Sequence, residues 1–414
     1  MLEHQVSIMD NKLKNNIIKI YVMVFCRSTL IVAAIFVPLL ERYGLTMAQI
    51  LQTQSIFALT IAITEVPSGY LADLWGRKNT LVLGAAISAL AFTLLINADS
   101  FVEFCVYEIL LGVGMSLNSG ADLAILYDTQ TYLNRRNGNV DNGKPIARLF
   151  SMDGLAGAAG AIAAAILTLW SLQAVILAQV LVGLITMIIA ASLVEPPREI
   201  SLAGHGENFA RIGRAINKEP LVLITAIAMI TFGLAAIYVF WIYQKYWQEQ
   251  GVPLTCFGYL WALHCLIRGG AAHYAHAVED RLGTRNALIL ISVLSIVGIL
   301  GMACGEGITG ILFALILPVS RGFSSVIFAD ALNKRLTAEF RATLNSLVSL
   351  GFRAIFIVTA PVLGFMIDRY GVHSGLFALA GVFAPAYGLI LYILFAALRN
   401  KSPEPESQVT VAGK

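Results

Sequence analysis

The stretch "GYLADLWGRKNTL", residues Gly69–Leu81, places an acid, two bases and two glycines between long apolar runs. Residues 51–68, "LQTQSIFALTIAITEVPS", precede it, and residues 82–98, "VLGAAISALAFTLLINA", follow it. Each run has about the 20 mostly apolar residues that cross the hydrocarbon of a bilayer. The pattern therefore predicts two membrane-spanning helices joined by a short charged turn.

The composition of the whole chain supports this interpretation. Of its 414 residues, 58% are hydrophobic and 13% are charged, and its mean hydropathy is +0.77. A soluble domain usually carries about a quarter charged residues. The five cysteines are scattered without a CxxC pair, so they predict small buried apolar side chains, and no metal or cofactor is expected. The polar N-terminus leads directly into the first apolar run and predicts no cleavable signal peptide.

Apolar windows bounded by polar, Gly or Pro residues predict twelve helices. Spans 1 to 12 are placed near residues 17–40, 48–72, 79–98, 101–128, 147–170, 172–194, 219–246, 256–279, 285–304, 307–333, 342–367 and 373–398. The longest internal polar stretch falls between spans 6 and 7. We therefore expect an N-terminal six-helix bundle over residues 1–194, a cytoplasmic linker over 195–218, a C-terminal six-helix bundle over 219–400, and a disordered cytoplasmic tail over 401–414.

The distribution of basic residues predicts the orientation in the membrane. With both termini in the cytoplasm, 21 of the 28 Lys and Arg residues lie on the inner side, three lie outside (Arg42, Lys245 and Arg369), and four lie within spans. Cytoplasmic loops carry an excess of Lys and Arg. Both termini are therefore expected to be cytoplasmic.

The opening stretch has two counterparts elsewhere in the chain. "HAVEDRLGTRNAL", residues 276–288, lies between spans 8 and 9, and "GFMIDRYG", residues 364–371, ends span 11 on the outer side. Spans 2, 8 and 11 hold the same position in three of the four three-helix units. Recurrence at matched positions is typical of the internal repeats of transporters.

Together these features resemble the major facilitator superfamily over almost the whole chain. The family's loop pattern is Gly-x3-Asp-[Arg/Lys]-x-Gly-[Arg/Lys]-[Arg/Lys], and five residues fit it: Gly69, Asp73, Gly76, Arg77 and Lys78. Leu74 replaces the usual base after the Asp. "EVPSGYLADLWGRK", "SGADLAILYD" and "FRATLNSLVSLGFR" look like one branch of bacterial members, so the resemblance implies a bacterial inner membrane.

The resemblance implies an all-α polytopic fold with twelve transmembrane helices in two bundles related by a pseudo-twofold axis. The bundles rock about a central site that faces one side of the membrane at a time. Charged residues at the turns are then expected to form a gate that closes the inner side: Asp73, Arg77 and Lys78 with Gly69 and Gly76, and Asp280, Arg281 and Arg285 in the second half.

Ionisable residues near the middle of a membrane are expensive unless they are paired or face water, so each is a candidate functional residue. Four arginines fall near the midplane of spans 1, 8, 10 and 11: Arg27, Arg268, Arg321 and Arg353. No acid is predicted at the same level, since the acids within the spans lie off-centre: Glu65, Glu108, Asp122, Asp153 and Asp330. The planar guanidinium fork matches a carboxylate or phosphate, so the excess of cations predicts an anionic substrate. Alternatively, each Arg is tied to an acid solely to hold helices together.

Further candidates lie on spans 4, 7 and 8. Glu108 and Asp122 share a face of span 4 and are candidates for both substrate binding and proton coupling. Tyr238, Trp241 and Gln244 of span 7 are candidates for the cavity wall. His264 lies four residues before Arg268, on one face of span 8, and could link a bound anion to a proton. Glu65 and Asp153 are the remaining carboxylate candidates for proton coupling.

These residues predict a secondary transporter, driven by protons, for a small amphipathic organic anion such as a carboxylate metabolite, a siderophore-like chelate or an acidic drug. Export by antiport is favoured over proton-coupled import of a siderophore or other solute, and a lipid flippase on the same fold remains an alternative. An enzyme is not expected, because no HExxH, GxSxG or nucleotide-binding motif is present. The expected partners are the solute, protons and the bilayer, with no nucleic acid, and the chain is expected to be a monomer.

Overall fold

The computed structural model of the chain describes residues 2–137, 143–197, 220–335 and 338–400. Within these ranges every regular element is a helix, and ten helices are long and apolar enough to cross a membrane. Residues 198–219, which make up most of the expected linker, and the expected tail 401–414 lie outside the described residues. The predicted all-α polytopic fold is confirmed.

The helices of the first half match spans 1 to 6. Spans 1 and 4 are each interrupted within the membrane, whereas the other four are continuous. Span 1 consists of Leu2–Ser28, the short 3₁₀-helix Val32–Ile35 and Phe36–Arg42, and span 4 consists of Phe101–Asn118 and Ala121–Asn137. The single helices are Met47–Trp75 for span 2, Arg77–Leu95 for span 3, Gly143–Thr168 for span 5 and Leu172–Ala191 for span 6.

The helices of the second half match spans 7 to 12. In chain order they are Pro220–Glu249, Leu254–Cys304 for spans 8 and 9 together, Gly307–Ala314 and Leu317–Asn333 for span 10, Ala338–Tyr370, and Val372–Asn400. The 51-residue helix is broken at Gly283, whose φ of 76° and ψ of 151° are not helical. With this break, and with the shorter apolar helix Gly154–Thr168 in span 5, the helices are consistent with the twelve predicted spans.

The two faces of the protein are defined by the turns between spans. We call the face with the turns at Gly76 and Gly283 and with Lys334 the basic face, and the face with Tyr43 and Gly371 the opposite face. Two helices that begin on the opposite face start at capping boxes. The Thr46 and Ser100 side chains accept hydrogen bonds from the backbone N–H groups of Gln49 and Glu103, whose side chains accept in return.

Two helix pairs join the N-terminal bundle (spans 1–6) to the C-terminal bundle (spans 7–12). Span 2 packs along span 11, and span 5 packs along span 8. Small residues bring the backbones close together. A Cβ on Gly258 would lie 2.1 Å from the carbonyl oxygen of Ala161, and one on Gly364 would lie 2.6 Å from the Cα of Ala48.

The outer surface of the bundles is apolar. Val66, Ile308 and Tyr392 expose 75%, 75% and 72% of their surface, and many other large apolar residues are also exposed. Such a surface is a liability in water, but it suits the hydrocarbon of a bilayer.

Candidate functional site

A cavity of about 540 Å³ lies between the two bundles. Its walls come from spans 1, 2, 4 and 5 on one side and spans 7, 8 and 11 on the other. The lining extends from Ala33 and Phe240 to Leu149, near the basic-face end of span 5, so the cavity opens toward the basic face. Its charged lining residues are Arg27, Asp122, Arg268 and Arg353.

The interruptions in spans 1 and 4 place the first ion pair in this cavity. The helix Leu2–Ser28 ends one residue after Arg27, and span 4 restarts at Ala121 after Gly120, whose φ is 80°. Nη2 of Arg27 donates a hydrogen bond of 2.7 Å to Oδ2 of Asp122. A cation at a helix C-terminus and an acid in a first helical turn both complement the helix dipole. The pair is thus held by two helix ends at the wall of the central cavity.

Two glutamines hold the interrupted part of span 1. Oε1 of Gln179, from span 6, accepts hydrogen bonds from the backbone N–H groups of Ile31 at 2.6 Å and Val32 at 3.3 Å. The Gln244 amide, from span 7, donates to the carbonyl of Ala33 at 2.8 Å and accepts from Val37 N–H at 2.9 Å. Backbone groups freed by a break in a membrane helix need such partners. Gln244, expected at the cavity wall, is therefore only 2% exposed and does not line the cavity.

A second ion pair connects the two bundles. Nη1 of Arg353, from span 11, donates to Oε2 of Glu65, from span 2, at 2.7 Å. Their side chains are 20% and 32% exposed, so both are reached by water. The sequence placed Arg353 among the substrate-binding candidates and Glu65 among the proton-coupling candidates, and the structure brings the two together.

Arg268 forms no ion pair with any carboxylate in the described part of the chain. It lies on the span 8 wall of the cavity beside Trp261 and Cys265. His264, one turn earlier, faces away from this cavity. Its ring stacks on Trp261 with centroids 4.6 Å apart, and it lines a small internal cavity with Ser320. The predicted common face of His264 and Arg268 is therefore divided between two cavities.

The other predicted binding residues do not line the central cavity. Tyr238 is 5% exposed and its hydroxyl bonds that of Thr359. Trp241 packs against Phe36, with ring centroids 5.9 Å apart. Glu108 is 2% exposed and accepts a hydrogen bond of 2.5 Å from Gln54.

Two further predicted residues stand apart from the cavity. Arg321 faces a separate cavity between spans 7, 10 and 11. The side chain of Asp153 lies outside the described residues.

Sequence reasoning missed the aromatic part of the wall. Phe240 and Trp261 line the cavity and form an edge-to-face pair, with ring centroids 4.7 Å apart. Phe240 directly precedes Trp241 and lies about 100° away around the helix, so the sequence puts the two on different faces but does not show which of them faces the cavity. Gln179 was also missed, since a lone Gln in an apolar run carries no positional information.

The three repeated turns share one backbone feature. Each contains Asp-x-x-Gly, and the glycines Gly76, Gly283 and Gly371 have φ values of 106°, 76° and 84°. Only glycine adopts such values readily. The motif therefore ends a helix at the same point in three repeats, which explains why the pattern recurs.

The predicted gate residues of the first turn contact their own bundle. The Arg77 guanidinium binds the Asp128 carboxylate and the carbonyl of Ala124. The Glu195 carboxylate accepts from the N–H groups of Arg77 at 2.9 Å and Lys78 at 2.7 Å, and so caps span 3. In the second turn, Asp280, Arg281 and Arg285 are exposed, whereas Asp73 is half-buried and Gly69 is exposed.

The bundles are joined on the opposite face. Oδ1 and Oδ2 of Asp368, from the third motif, accept hydrogen bonds of 2.8 Å from the N–H groups of Met47 and Ala48. These groups begin span 2, so an acid of one bundle caps a helix of the other. Lys245 of span 7 also pairs with Glu41 of span 1 at 2.9 Å. The structure is thus closed on the opposite face and open on the basic face.

A polytopic helical protein with two bundles around a polar cavity that opens to one side belongs to the class of membrane transporters. The family model of the Major Facilitator Superfamily matches residues 20–355. The chain belongs to this superfamily, and it is a transporter of a small solute rather than an enzyme. Among curated proteins, no sequence matches this chain significantly.

Solved structures show the same fold. The chain is similar to a point mutant of the nucleoside transporter NupG, with 13% identity, a TM-score of 0.73, and 93% of this chain and 99% of that chain covered. A D-xylose–proton symporter gives 14% identity, a TM-score of 0.70, and coverage of 97% and 99%. An inward-facing, unoccupied bacterial homolog of the human lysosomal transporter Spinster gives 14% identity and a TM-score of 0.68, with 94% of this chain and 95% of that chain covered. These likenesses confirm the fold.

Proposed function

We propose that the chain is a secondary transporter that carries a small amphipathic organic anion together with a proton. The observation that carries this proposal is the charge of the central cavity. Three arginines, Arg27, Arg268 and Arg353, meet two carboxylates, Asp122 and Glu65. One positive charge is therefore left over within the described residues, and it lies where an anion can reach it.

The chemistry of the wall favours an amphipathic carboxylate. A guanidinium offers a planar pair of donors to a carboxylate, and the interaction is strong in a site partly screened from water. Phe240 and Trp261 offer an apolar surface beside Arg268. A carboxylate metabolite, a siderophore-like chelate or an acidic drug has both parts.

The two ion pairs supply a mechanism for coupling. In the absence of substrate, Asp122 and Glu65 neutralise Arg27 and Arg353. A bound anion competes with these carboxylates, and a proton on the displaced carboxylate removes that competition. Proton and anion then bind more tightly together than separately, which is the thermodynamic linkage of a symporter. This linkage favours symport over the export by antiport that the sequence led us to expect. Glu65, which also bridges the bundles, is the proposed proton site.

Alternating access completes the proposal. With the basic face in the cytoplasm of a bacterial inner membrane, the structure represents a cytoplasm-open state. Bundles 1–194 and 219–400, joined by the linker 195–218, rock so that the turns with Asp73, Arg77, Asp280, Arg281 and Arg285 meet and close the inner face. The contacts of Asp368 and Lys245 then break. Each state needs its own set of contacts, because a packed interface switches between discrete arrangements.

The test is uptake by proteoliposomes containing the purified protein, with an imposed inward proton gradient. A thermal-shift screen of anionic, neutral and cationic compounds supplies the candidate substrates. We expect the anions to stabilise the protein and to be accumulated, and Arg353→Gln to abolish accumulation. Arg42→Gln is the control, since Arg42 is exposed on the opposite face, outside the cavity.

The same assay separates the alternatives. Export by antiport requires that an outward proton gradient drives accumulation instead. A lipid flippase moves labelled lipid and shows no solute counterflow. Stabilisation by cationic amphiphiles alone would contradict the proposal.

A further inference from the structure

We propose that the C-terminal bundle contains a second binding pocket, for an arylcarboxylate, centred on Arg321. A cavity of about 250 Å³ lies between spans 7, 10 and 11, apart from the central cavity. Arg321 is the one charged residue that lines it among the described residues. Its other lining residues include Phe232, Gly233, Phe328, Asn345 and Phe352.

Arg321 forms no ion pair with any acid in the described part of the chain. The acid of its own helix, Asp330, lies nine residues further, about 13 Å along the helix. Asp330 is paired with Lys334 at 2.6 Å. A guanidinium inside a membrane protein without a partner is expensive. An anion in the adjacent cavity would neutralise it.

The neighbouring helix adds a second cation rather than an acid. Spans 8 and 10 pack so closely that a Cβ on Gly322 would lie 2.5 Å from the carbonyl oxygen of Arg268. Arg268 lines the central cavity, whereas Arg321 lines both the cavity between spans 7, 10 and 11 and the small internal cavity beside His264. The two guanidinium groups therefore line different cavities, and each raises the positive potential at the other.

The walls define the chemical class of the ligand. The rings of Phe232 and Phe328, with centroids 5.1 Å apart, lie on spans 7 and 10, and Phe352 lies on span 11. The hydroxyls of Ser324 and Ser325 donate to backbone carbonyls, so the available side-chain donors are Arg321, the amide of Asn345 and the hydroxyl of Ser349. One guanidinium with an aromatic wall suits an aromatic ring with a single carboxylate rather than a polyanion.

Gly233 controls the width of the pocket. A Cβ at this position would lie 3.3 Å from Cδ2 of Phe352 and 4.0 Å from Nη1 of Arg321. A methyl group here therefore intrudes between the cation and the aromatic wall. Gly233→Ala narrows the pocket while leaving its charge unchanged, and this gives a second way to test it.

The experiment is equilibrium binding of 2-naphthoate to the full-length protein in detergent. We expect two sites in the wild type. Arg321→Gln should remove one site, Arg321→Lys should retain it more weakly, and Gly233→Ala should weaken the same site at least tenfold. Arg353→Gln should remove only the other, central site. Thermal melting of each variant confirms that it is folded, and Gly233→Ala keeps the test open if Arg321→Gln does not fold.

The outcomes distinguish this pocket from the proposed transport site. A single wild-type site that disappears in Arg353→Gln and survives both Arg321→Gln and Gly233→Ala would overturn the pocket and leave the central site intact. A single site that disappears in Arg321→Gln and survives Arg353→Gln would support the pocket and contradict the central site. Two sites that both survive Arg321→Gln and Gly233→Ala would also overturn the pocket.

Discussion

The guanidinium of Arg353 donates a 2.7 Å hydrogen bond to the carboxylate of Glu65, and the two residues are 288 positions apart. Span 2 carries the acid and span 11 carries the base, so the pair connects the two bundles at the wall of the central cavity. A movement of the bundles that separates spans 2 and 11 at this point must stretch or break it. This ion pair therefore depends both on the charges in the central cavity and on the relative position of the two bundles.

The first prediction concerns Glu65→Gln. This change frees Arg353 from a competing carboxylate worth about 1 kcal/mol, so anion affinity should rise about fivefold. Isothermal titration of the wild type and the variant at one pH measures the two affinities. An unchanged affinity would show that Glu65 does not compete with the anion for Arg353.

The second prediction concerns Arg27 and Asp122, whose side chains are 21% and 10% exposed. Arg27→Gln leaves Asp122 without its partner, and should lower the free energy of unfolding by about 1–3 kcal/mol. The double variant Arg27→Gln with Asp122→Asn should recover part of this loss, because no buried charge is then unpaired. Denaturation in detergent gives the free energies of unfolding of Arg27→Gln, Asp122→Asn and the double variant relative to the wild type. If the loss in the double variant equals the sum of the losses in Arg27→Gln and Asp122→Asn alone, the two residues do not interact.

The third prediction concerns closure of the opposite face. A Cβ on Gly364 would lie 2.6 Å from both the Cα of Ala48 and the carbonyl oxygen of Met47, so backbone must move to admit it. Gly364→Ala should therefore open this face. Spin labels at Asp99 and Glu306, which lie near this face in different bundles, should report a longer distance.

Gly388→Ala is the matched control for this change. A Cβ at Gly388 meets no atom within 4 Å, so the label distance should stay at its wild-type value. Asp368→Asn should shift the distance in the same direction as Gly364→Ala, because a neutral amide caps the start of span 2 less well. A Gly364→Ala protein with the wild-type distance would show that this contact does not close the face.

The fourth prediction concerns the repeated turn. Gly283 has φ 76° and ψ 151°, a conformation nearly restricted to glycine, and a Cβ there would meet no atom within 4 Å. Gly283→Ala should therefore lower the free energy of unfolding by about 1–3 kcal/mol through the backbone alone. Gly269→Ala, at a helical position with equally open space, should be neutral or stabilising. Equal effects of the two changes would show that the backbone conformation at position 283 does not require glycine.

Much of the fold could be predicted from the sequence because the bilayer constrains it. Apolar runs of fixed length locate the spans, and the Asp-x-x-Gly turns at Gly76, Gly283 and Gly371 have a backbone requirement that is visible in the residue types. The four midplane arginines were also visible, since charge at that depth stands out in an apolar run. All four line cavities, and Arg268 and Arg321 form no ion pair with an acid among the described residues.

The pairing of these residues could not be predicted. Periodicity gives the face of a residue on its own helix, but not which helix lies opposite, so the Arg27–Asp122 and Glu65–Arg353 pairs were not visible. The interruption of span 1 was missed as well. Pro38 cannot donate to the carbonyl of Ala34, which is a local cause, but Gln179 and Gln244, which hold the break, are far away in the sequence.

The most direct test of the proposed anion site is counterflow in proteoliposomes with three compounds that share one aromatic ring system: a carboxylate, its neutral amide and the corresponding amine. The positive wall of the cavity predicts that the carboxylate exchanges, that the amide exchanges at least tenfold more slowly, and that the amine does not exchange. Exchange of the amine without exchange of the carboxylate would contradict the proposal that the central cavity binds an anion.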